Sequence, residues 1–497
     1  MPRHSPIKIT LTPTLSRRTG RGSRCAALLT LALATGCIDH SKDVARYRAI
    51  LDGPEPTTRP TYEPTEPLSL QQALAVANAD NEAIASSGED YVQALADKMR
   101  AAGTFLPTLT LAPSYTLTHR TGSGDGGSFI IPGVGTGQDL DGDGTIDTGG
   151  GTAINFGSTG SGTSDRLTVP LNASVSGSLA DVSNLRASRR TAEQRAQLLL
   201  NQRETVLLQV AQAYYDVLRF ERQTAVFESS VRLRSEQVRD QEARQRLGGV
   251  RPLDVAQSQA QLASTRVSLT QARTDAANAR SALARLMGVA AVRGRLTDAF
   301  NPPAIEEAAL DAWQTEALAQ RHDLLAALRA VESARLGVQA AIRQYFPSVS
   351  INFNYYLYND PKSSQNWAGG ISASLPIFSA LQIEADIRRA WSVYRQSGLA
   401  LSSAQRQVID DVTQAYQNLA GNRAKIADLQ IQVTAAQRAV DLTERGYELG
   451  SETNLDRLVQ QDNLLSAELN LVSEQFAEKS NYLALLRAAG RLASVLP

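Results

Sequence analysis

The residues of this 497-residue chain that could bind a metal ion lie in one glycine-rich stretch. Oxygen-bearing side chains alternate there over nine positions, at Asp139, Asp141, Asp143, Thr145 and Asp147. This spacing matches the first nine positions of an EF-hand-like calcium loop. Gly150 stands where such a loop has its bidentate glutamate. We predict a weak Ca²⁺ site, and the alternative is an acidic turn in a surface loop.

The remaining reactive side chains form no recognisable catalytic pattern. The four histidines, His4, His40, His119 and His322, are spread along the chain. No Gly-Lys pair is present, so a phosphate-binding loop of the Walker type is absent from the sequence. We therefore predict that the protein is not an enzyme, has no catalytic residues and requires no cofactor.

The two cysteines, Cys25 and Cys37, both lie near the N-terminus, so disulfides cannot cross-link the body of the chain. Arginines precede a short apolar run over residues 26–34, which is typical of a secretory signal. The run closes with Ala34-Thr35-Gly36-Cys37, which resembles a bacterial lipoprotein box. We predict cleavage before Cys37 and lipid attachment to it. A plain secretory signal with an incidental cysteine is the alternative.

Charge gives no reason to expect nucleic acid as a partner. Fifty basic residues balance fifty acidic ones, and a neutral chain lacks the basic surface that nucleic acid requires. Prolines are frequent between residues 54 and 67, and residues 37–67 are predicted to be an extended linker.

Four segments alternate apolar and polar residues in the manner of strands, over residues 107–118, 166–179, 347–358 and 367–378. Their polar faces carry uncharged Ser, Thr and Asn, which suits a water-filled lumen. A tilted strand of about eleven residues crosses a bilayer, so these segments are predicted to span one. A half-buried soluble sheet also alternates and is the alternative. Pro170 leaves the register of the second segment open.

Long heptad patterns follow each pair of strands. Apolar residues recur in steps of four and three at Val206, Val210, Ala213, Val217, Phe220, Phe227, Val231 and Val238, and again at Val408, Val412, Ala415, Leu419, Ile426, Leu429, Val433, Ala436 and Val440. This pattern predicts coiled-coil packing. A helix over residues 181–247 would be about 100 Å long, which suits a projecting tube better than a compact domain.

The two halves of the chain contain matching segments. Gln212-Ala213-Tyr214 matches Gln414-Ala415-Tyr416, and Leu247-Gly248 matches Leu449-Gly450, both with an offset of 202 residues. Leu253-Asp254 matches Leu455-Asp456 with the same offset. An internal duplication of helix, strands and helical hairpin is therefore predicted.

This arrangement resembles the TolC-like outer membrane efflux family over residues 68–490. The motifs that carry the resemblance are Leu68-Ser69-Leu70-Gln71-Gln72-Ala73-Leu74, the Pro107 and Pro347 junctions, Ala213-Tyr214-Tyr215-Asp216 and the two Leu-Gly…Leu-Asp turns. The resemblance implies an α+β membrane protein, in which four strands per chain contribute to a trimeric 12-stranded outer-membrane β-barrel. Its coiled-coil hairpins would form a periplasmic α-barrel.

The resemblance also implies partners. The protein would be a homotrimer in the outer membrane, acting as a passive exit duct of a tripartite efflux or type I secretion system. A periplasmic adaptor and an inner-membrane transporter would supply selection and energy. The adaptor would dock at the hairpin tips, at Leu247, Gly248, Gly249, Leu253, Asp254, Leu449, Gly450, Leu455 and Asp456. The alternative is that these residues only turn the chain.

These inferences divide the chain into a signal peptide (1–36), a lipidated linker (37–67), a first repeat (68–290), an inter-repeat linker (291–304), a second repeat (305–490) and a tail (491–497). The tips are placed near 248–253 and 450–455. The rival function is a lipidated periplasmic coiled-coil adaptor or scaffold. An adaptor would have one helical hairpin and compact β-domains. A coiled-coil scaffold would not need pairs of amphipathic strands.

Overall fold

The computed structural model describes residues 40–52, 62–120, 129–131, 152–154, 162–303, 310–360 and 366–492. The chain divides into a small unit, Met1–Thr57, and a large one, Thr58–Pro497. In the small unit, α1 covers His40–Asp52. The prediction of an extended linker over residues 37–67 is wrong for this stretch, because the prolines begin only at Pro54 and leave a run of thirteen residues free to be helical.

Each repeat opens with two short helices separated by a single non-helical residue. The helices are α2 (Leu70–Asp80), α3 (Glu82–Gly103), α6 (Leu310–Gln320) and α7 (His322–Ile342). The helical segment that opens the first repeat breaks at Asn81, whose backbone is extended. Its side-chain oxygen accepts from the N–H groups of Ala83 and Ile84, and its amide donates to the carbonyl of Leu286. Arg321 occupies the equivalent break in the second repeat.

Four long helices form the two hairpins. They are α4 (Leu179–Arg246), α5 (Pro252–Leu286), α8 (Gln382–Glu448) and α9 (Asn454–Ala488). The 68 residues of α4 span about 100 Å, the length expected from the sequence. Residues of the predicted heptad seam are buried or half-buried along both α4 and α8. Because the buried apolar residues form a narrow seam, the hairpins are long packed pairs without a thick core.

The strands form one main sheet and a small second one. The strands are β1 (Thr108–Leu111), β2 (Ser114–Arg120), β3 (Phe129–Ile131), β4 (Thr152–Ile154), β5 (Gly162–Gly177), β6 (Ser348–Asp360) and β7 (Trp367–Ser374). The main sheet is antiparallel with the order β1-β5-β6-β7, and β2 also pairs with β5. β3 pairs with β4 within the long loop of the first repeat.

The observed strands extend beyond the predicted segments at Arg120, Gly162 and Asp360. Three further differences have a reason in the local sequence. The first strand is broken into β1 and β2 because Pro113 has no N–H to donate. β5 ends at Gly177, since Ser178 caps α4 in a capping box with Asp181. β7 ends at Ser374, two residues before Pro376, so Ile377 lies outside the sheet. The pairing of β5 with β6 also shifts between Val169 and Pro170, which locates the irregularity expected at that proline.

The core lies where the short helices pack on the long ones. α4 is the central element and contacts α2, α3, α5, α7 and α9. Its Tyr214 is fully buried, and its hydroxyl bonds to the Leu68 and Thr297 carbonyls at 2.8 and 2.6 Å. Leu68 forms a parallel bridge with Leu296. The predicted inter-repeat linker is therefore fixed to the start of the first repeat over this bridge.

Candidate functional site at the helical tips and the sheet

The first tip joins α4 to α5 and is closed by backbone hydrogen bonds. Gly248 has a φ of +76°, and the N–H of Gly249 donates to the Arg244 carbonyl at 2.9 Å. This left-handed residue after a helix is favourable for glycine, which has no Cβ. Pro252 begins α5. Leu247 projects from the turn with 88% of its surface exposed.

The second tip repeats this geometry between α8 and α9. Gly450 has a φ of +77°, and the N–H of Ser451 donates to the Gly446 carbonyl at 2.9 Å. Leu449 is 86% exposed. Thr453 and Asp456 form a capping box at the start of α9. Hydrogen bonds from the Thr453 side chain and N–H lower the pKa of the Asp456 carboxyl, so it is ionised at neutral pH.

All nine residues predicted for the tips lie at the two turns. The side chains of Leu253 and Leu455 are exposed as well, on the first turns of α5 and α9. Asp254 pairs with Arg251 at 3.0 Å. Four exposed leucines at the end of two hairpins form an apolar surface that nothing within the described chain covers.

A buried side chain joins the two tips to each other. Asn454 is only 2% exposed. Its amide donates to the Asp254 carbonyl and to Ser258, both at 3.1 Å. Its oxygen accepts from Gln241 at 2.7 Å and from Arg457 at 2.9 Å. We call these five residues the tip junction. Sequence reasoning missed it, because its contacts reach 213 residues along the chain.

A second polar contact joins the hairpins farther from the tips. Arg234 of α4 is buried and donates to Asp462 of α9 at 2.5 Å. Gln261 of α5 donates to both oxygens of the same carboxylate, at 2.8 and 2.7 Å. The Asp462 carboxylate therefore links α4, α5 and α9 through Arg234 and Gln261.

The main sheet has two chemically distinct faces. Hydroxyl groups pair across the strands on the polar face, between Ser114 and Thr168 and between Ser350 and Ser372, both at 2.7 Å. The other face exposes apolar side chains, which include Leu109, Leu111, Tyr115, Leu117, Ile351, Phe353, Tyr355, Trp367 and Ile371. An apolar surface of this extent on strands is compatible with lipid or with another protein surface.

A buried acid, Glu204 of α4, lies near a half-buried base, His322 of α7. Glu204 is 3% exposed, and its Oε1 atom has no hydrogen-bond partner. The Nε2 atom of His322 lies 3.9 Å from it, and the Nδ1 atom of His322 lies 2.8 Å from the Gln197 oxygen. Burial raises the pKa of Glu204 to about 7, and burial lowers the pKa of His322. Nothing in the sequence indicated this contact, because Glu204 and His322 are far apart along the chain.

The other predicted sites cannot be placed. Cys37 and the calcium loop, Asp139 to Asp147, lie outside the described residues. Among the residues that the structure does describe, no three His, Cys, Asp or Glu side chains are grouped so as to bind a metal ion. None of the described helices has an apolar run long enough to cross a membrane.

The fold is that of outer-membrane channel proteins. The chain superposes on the outer membrane protein VceC from Vibrio cholerae with a TM-score of 0.69, which covers 85% of this chain and 96% of that one. The two sequences are 20% identical, so this likeness establishes the fold alone.

Sequence comparison places the chain in a family. The family model for outer membrane efflux proteins matches residues 73–289 and 313–491, one segment for each repeat. The chain belongs to the outer membrane efflux protein family.

Two curated relatives agree with this assignment. Outer membrane efflux protein BepC of Brucella suis is 26% identical over 299 residues, which are 59% of this chain and 65% of BepC. Outer membrane protein TolC of Vibrio cholerae is 24% identical over 320 residues, which are 61% of this chain and 72% of that protein. The aligned region thus spans about two thirds of the length of each relative.

Proposed function

We propose that three copies of this chain form a passive exit duct in the outer membrane. The duct conducts substrate from a periplasmic adaptor and an inner-membrane pump to the exterior, as part of a tripartite efflux or type I secretion system. It performs no catalysis and consumes no energy. The observation that carries the proposal is the open amphipathic sheet, whose two edges and apolar face have no partner within the described residues of one chain.

The internal repeat supports closure of the open sheet into a barrel by further copies of the chain. Inside one chain, β5 of the first repeat pairs with β6 of the second, and α4 packs against α9. The equivalent elements β7 and α8 lack a corresponding neighbour within the described chain. If the same contact is repeated between copies, β7 pairs with the β1–β2 edge of the next copy. Three chains then contribute twelve strands, an even number within the range of closed membrane barrels.

Exposed apolar residues on α8 support this arrangement. Leu399, Ile431 and Leu442 are each about two-thirds or more exposed in the single chain. The equivalent positions of α4, which already has the second repeat beside it, are the polar residues Gln197, Ser229 and Asp240. Because exposed leucine and isoleucine are costly in water, α8 is the helix that gains most from a neighbouring copy.

The register between copies follows from the repeat. The pairs Thr108↔Ser174 and Ser348↔Ser374 show that the first strands are offset by 240 residues and the second strands by 200. Within the chain, Asn172 lies opposite Asn354. The same offsets place Ser372 opposite Ser114 of the next copy. Leu171 lies opposite Tyr355 within the chain. The same offsets therefore place Ile371 opposite Tyr115 of the next copy.

Paired cysteines test this register in the full-length protein. Ser372→Cys with Ser114→Cys is one variant, and Ile371→Cys with Tyr115→Cys is the other. Adjacent antiparallel pairs alternate between wide and narrow Cα separations, about 5.5 and 4.5 Å, and both lie within the range for a disulfide. We expect at least one variant to give a covalent ladder that ends at the trimer on non-reducing gels of membrane fractions.

The matched control moves one cysteine to the opposite face of the sheet. Ala373→Cys with Ser114→Cys places the two thiols on different faces, because side chains alternate along a strand. This control is expected to stay monomeric under the same oxidation. Equal cross-linking of the control, or a ladder that ends at the dimer, would contradict the proposed trimer.

The N-terminal cysteine and the acidic loop extend the proposal. We place a lipid on Cys37, which anchors the mature chain to the outer membrane, and Ca²⁺ in the loop from Asp139 to Asp147. The lipoprotein box and the spacing of the aspartates support these two assignments. Mass spectrometry of the mature N-terminus and calcium titration of the full-length protein test them.

A further inference from the structure

The two helical tips carry opposite charge. Residues 244–254 and 446–456 are equivalent through the 202-residue offset. The charged residues of the first tip are Arg244, Arg246, Arg251 and Asp254, and those of the second are Glu448, Glu452 and Asp456. Three arginines and one aspartate give the first tip a net charge of +2, and three carboxylates give the second −3. Arg246 and Glu448 occupy equivalent positions and reverse each other's charge.

Most of these charges face solvent. The Arg251 side chain is 72% exposed. Arg246 is exposed, and its Nε atom donates to the carbonyl of Glu242 in its own helix at 3.3 Å. Glu448 and Glu452 are exposed on the second tip. A partner that approaches the tips therefore meets these charges as well as the leucines.

The opposite charges belong to one continuous surface. Asn454, the first residue of α9, donates to the Asp254 carbonyl on the first turn of α5. This bond holds the beginnings of the two return helices side by side. The exposed residues Leu253 and Leu455 are the chain neighbours of Asp254 and Asn454, so the bond joins the apolar parts of the two tips.

We propose that the adaptor surface that docks here is bipolar, with acidic groups opposite the first tip, basic groups opposite the second and apolar side chains against the leucines. This inference rests on the proposed function. Like charges placed opposite each other oppose binding, and complementary potentials set register and speed association. A uniformly acidic or uniformly basic partner would attract one tip and repel the other.

A photoreactive residue at each tip identifies what lies opposite it. Leu247→p-azidophenylalanine and Leu449→p-azidophenylalanine are introduced into the full-length protein in its native cells, and cross-linked peptides are sequenced. We expect both positions to cross-link to one adaptor, to an acidic segment from position 247 and a basic segment from position 449. Cross-links to segments of the same sign overturn the inference.

Charge reversal measures the energetic consequence with that adaptor. We expect Arg246→Glu and Glu448→Arg each to weaken its binding to the purified trimer about tenfold in low salt, with the difference reduced in high salt. The double variant exchanges the charges at positions 246 and 448, which leaves net charges of 0 on the first tip and −1 on the second. It should remain weak, whereas binding that depends on total charge alone would be restored. Restored binding, or an effect that ignores salt, overturns the inference.

The controls separate this inference from the proposed function. Arg232→Glu and Glu236→Lys alter exposed residues of α4 well away from the tip and should bind as the wild type does. If neither tip cross-links to an adaptor, the proposed docking itself fails. If both cross-link and the charge variants bind normally, docking stands and only the bipolar surface is rejected.

Discussion

Asn454→Ala is expected to release the two helical tips from each other and to destabilise this end of the hairpins by about 3 kcal/mol. The alanine removes four hydrogen bonds at a buried position. It leaves the Gln241 amide and one nitrogen of the Arg457 guanidinium without these partners in a site that excludes water. An unsatisfied buried donor costs about 1–3 kcal/mol, and a charged one costs more.

Hydrogen exchange provides the measurement, because local opening is read residue by residue. We expect amides at the starts of α5 and α9 to exchange about 100-fold faster in the variant, while those of the core around Tyr214 keep their wild-type rates. Asn463→Ala is the matched control, since Asn463 is exposed on the same helix and bonds only weakly to Gln460 at 3.4 Å. Equal exchange in the two variants would refute the role of Asn454.

The tip junction is specific to the seam within one chain. The equivalent of Asn454 in the first repeat is Pro252, and the equivalent of Gln241 is Thr443. Proline has no side-chain amide, so the same network cannot form between copies. In the proposed trimer, the tip junction is therefore present at the three contacts between the two hairpins of one chain. It is absent from the three contacts between neighbouring chains.

The features that were predictable from sequence are those encoded by neighbouring residues. The heptads of α4 and α8 predict buried seams, since the period of the apolar residues matches the helix. Leu247-Gly248 and Leu449-Gly450 predict tips, because glycine favours the left-handed residue that ends a helix. Both signals lie within a few residues, and the duplication doubles each of them.

The features that escaped prediction depend on residues far apart in the chain. Asn81 breaks a helix because its amide reaches the Leu286 carbonyl, 205 residues away. Arg234 reaches Asp462 over 228 residues. Neither residue type identifies its distant partner in the sequence, so these roles become evident only in the folded chain. The break in the first strand was missed for another reason. Pro113 is evident in the sequence, but the apolar and polar residues alternate without interruption around it.

Glu204→Gln is expected to stabilise the folded protein at pH 8 and to have a much smaller effect at pH 4.5. The ordinary pKa of this carboxyl is 4.5, and burial raises it to about 7 in the folded chain. Between these values the folded state holds a proton that the unfolded state releases, so stability falls as pH rises. The shift corresponds to about 3 kcal/mol, which is lost in full above pH 7.

The charges around Glu204 do not remove this cost. Arginines at positions 203, 321 and 487 favour the carboxylate, but burial is the larger effect and Asp323 opposes them. His322 cannot fully compensate, because burial also disfavours its protonated form. Its Nδ1 atom donates to the Gln197 oxygen, so Nε2 of the neutral ring carries no proton, and it lies 3.9 Å from Glu204 Oε1, beyond hydrogen-bond distance.

Thermal unfolding of the purified protein from pH 4.5 to pH 8 measures the difference between variant and wild type. The gain in unfolding temperature for Glu204→Gln should grow through this window and level off above pH 7, because glutamine does not titrate. Glu236→Gln, on the exposed part of the same helix, should show no such growth. A constant difference at every pH would mean that Glu204 is ionised throughout, and that its burial is compensated by the arginines rather than by a retained proton.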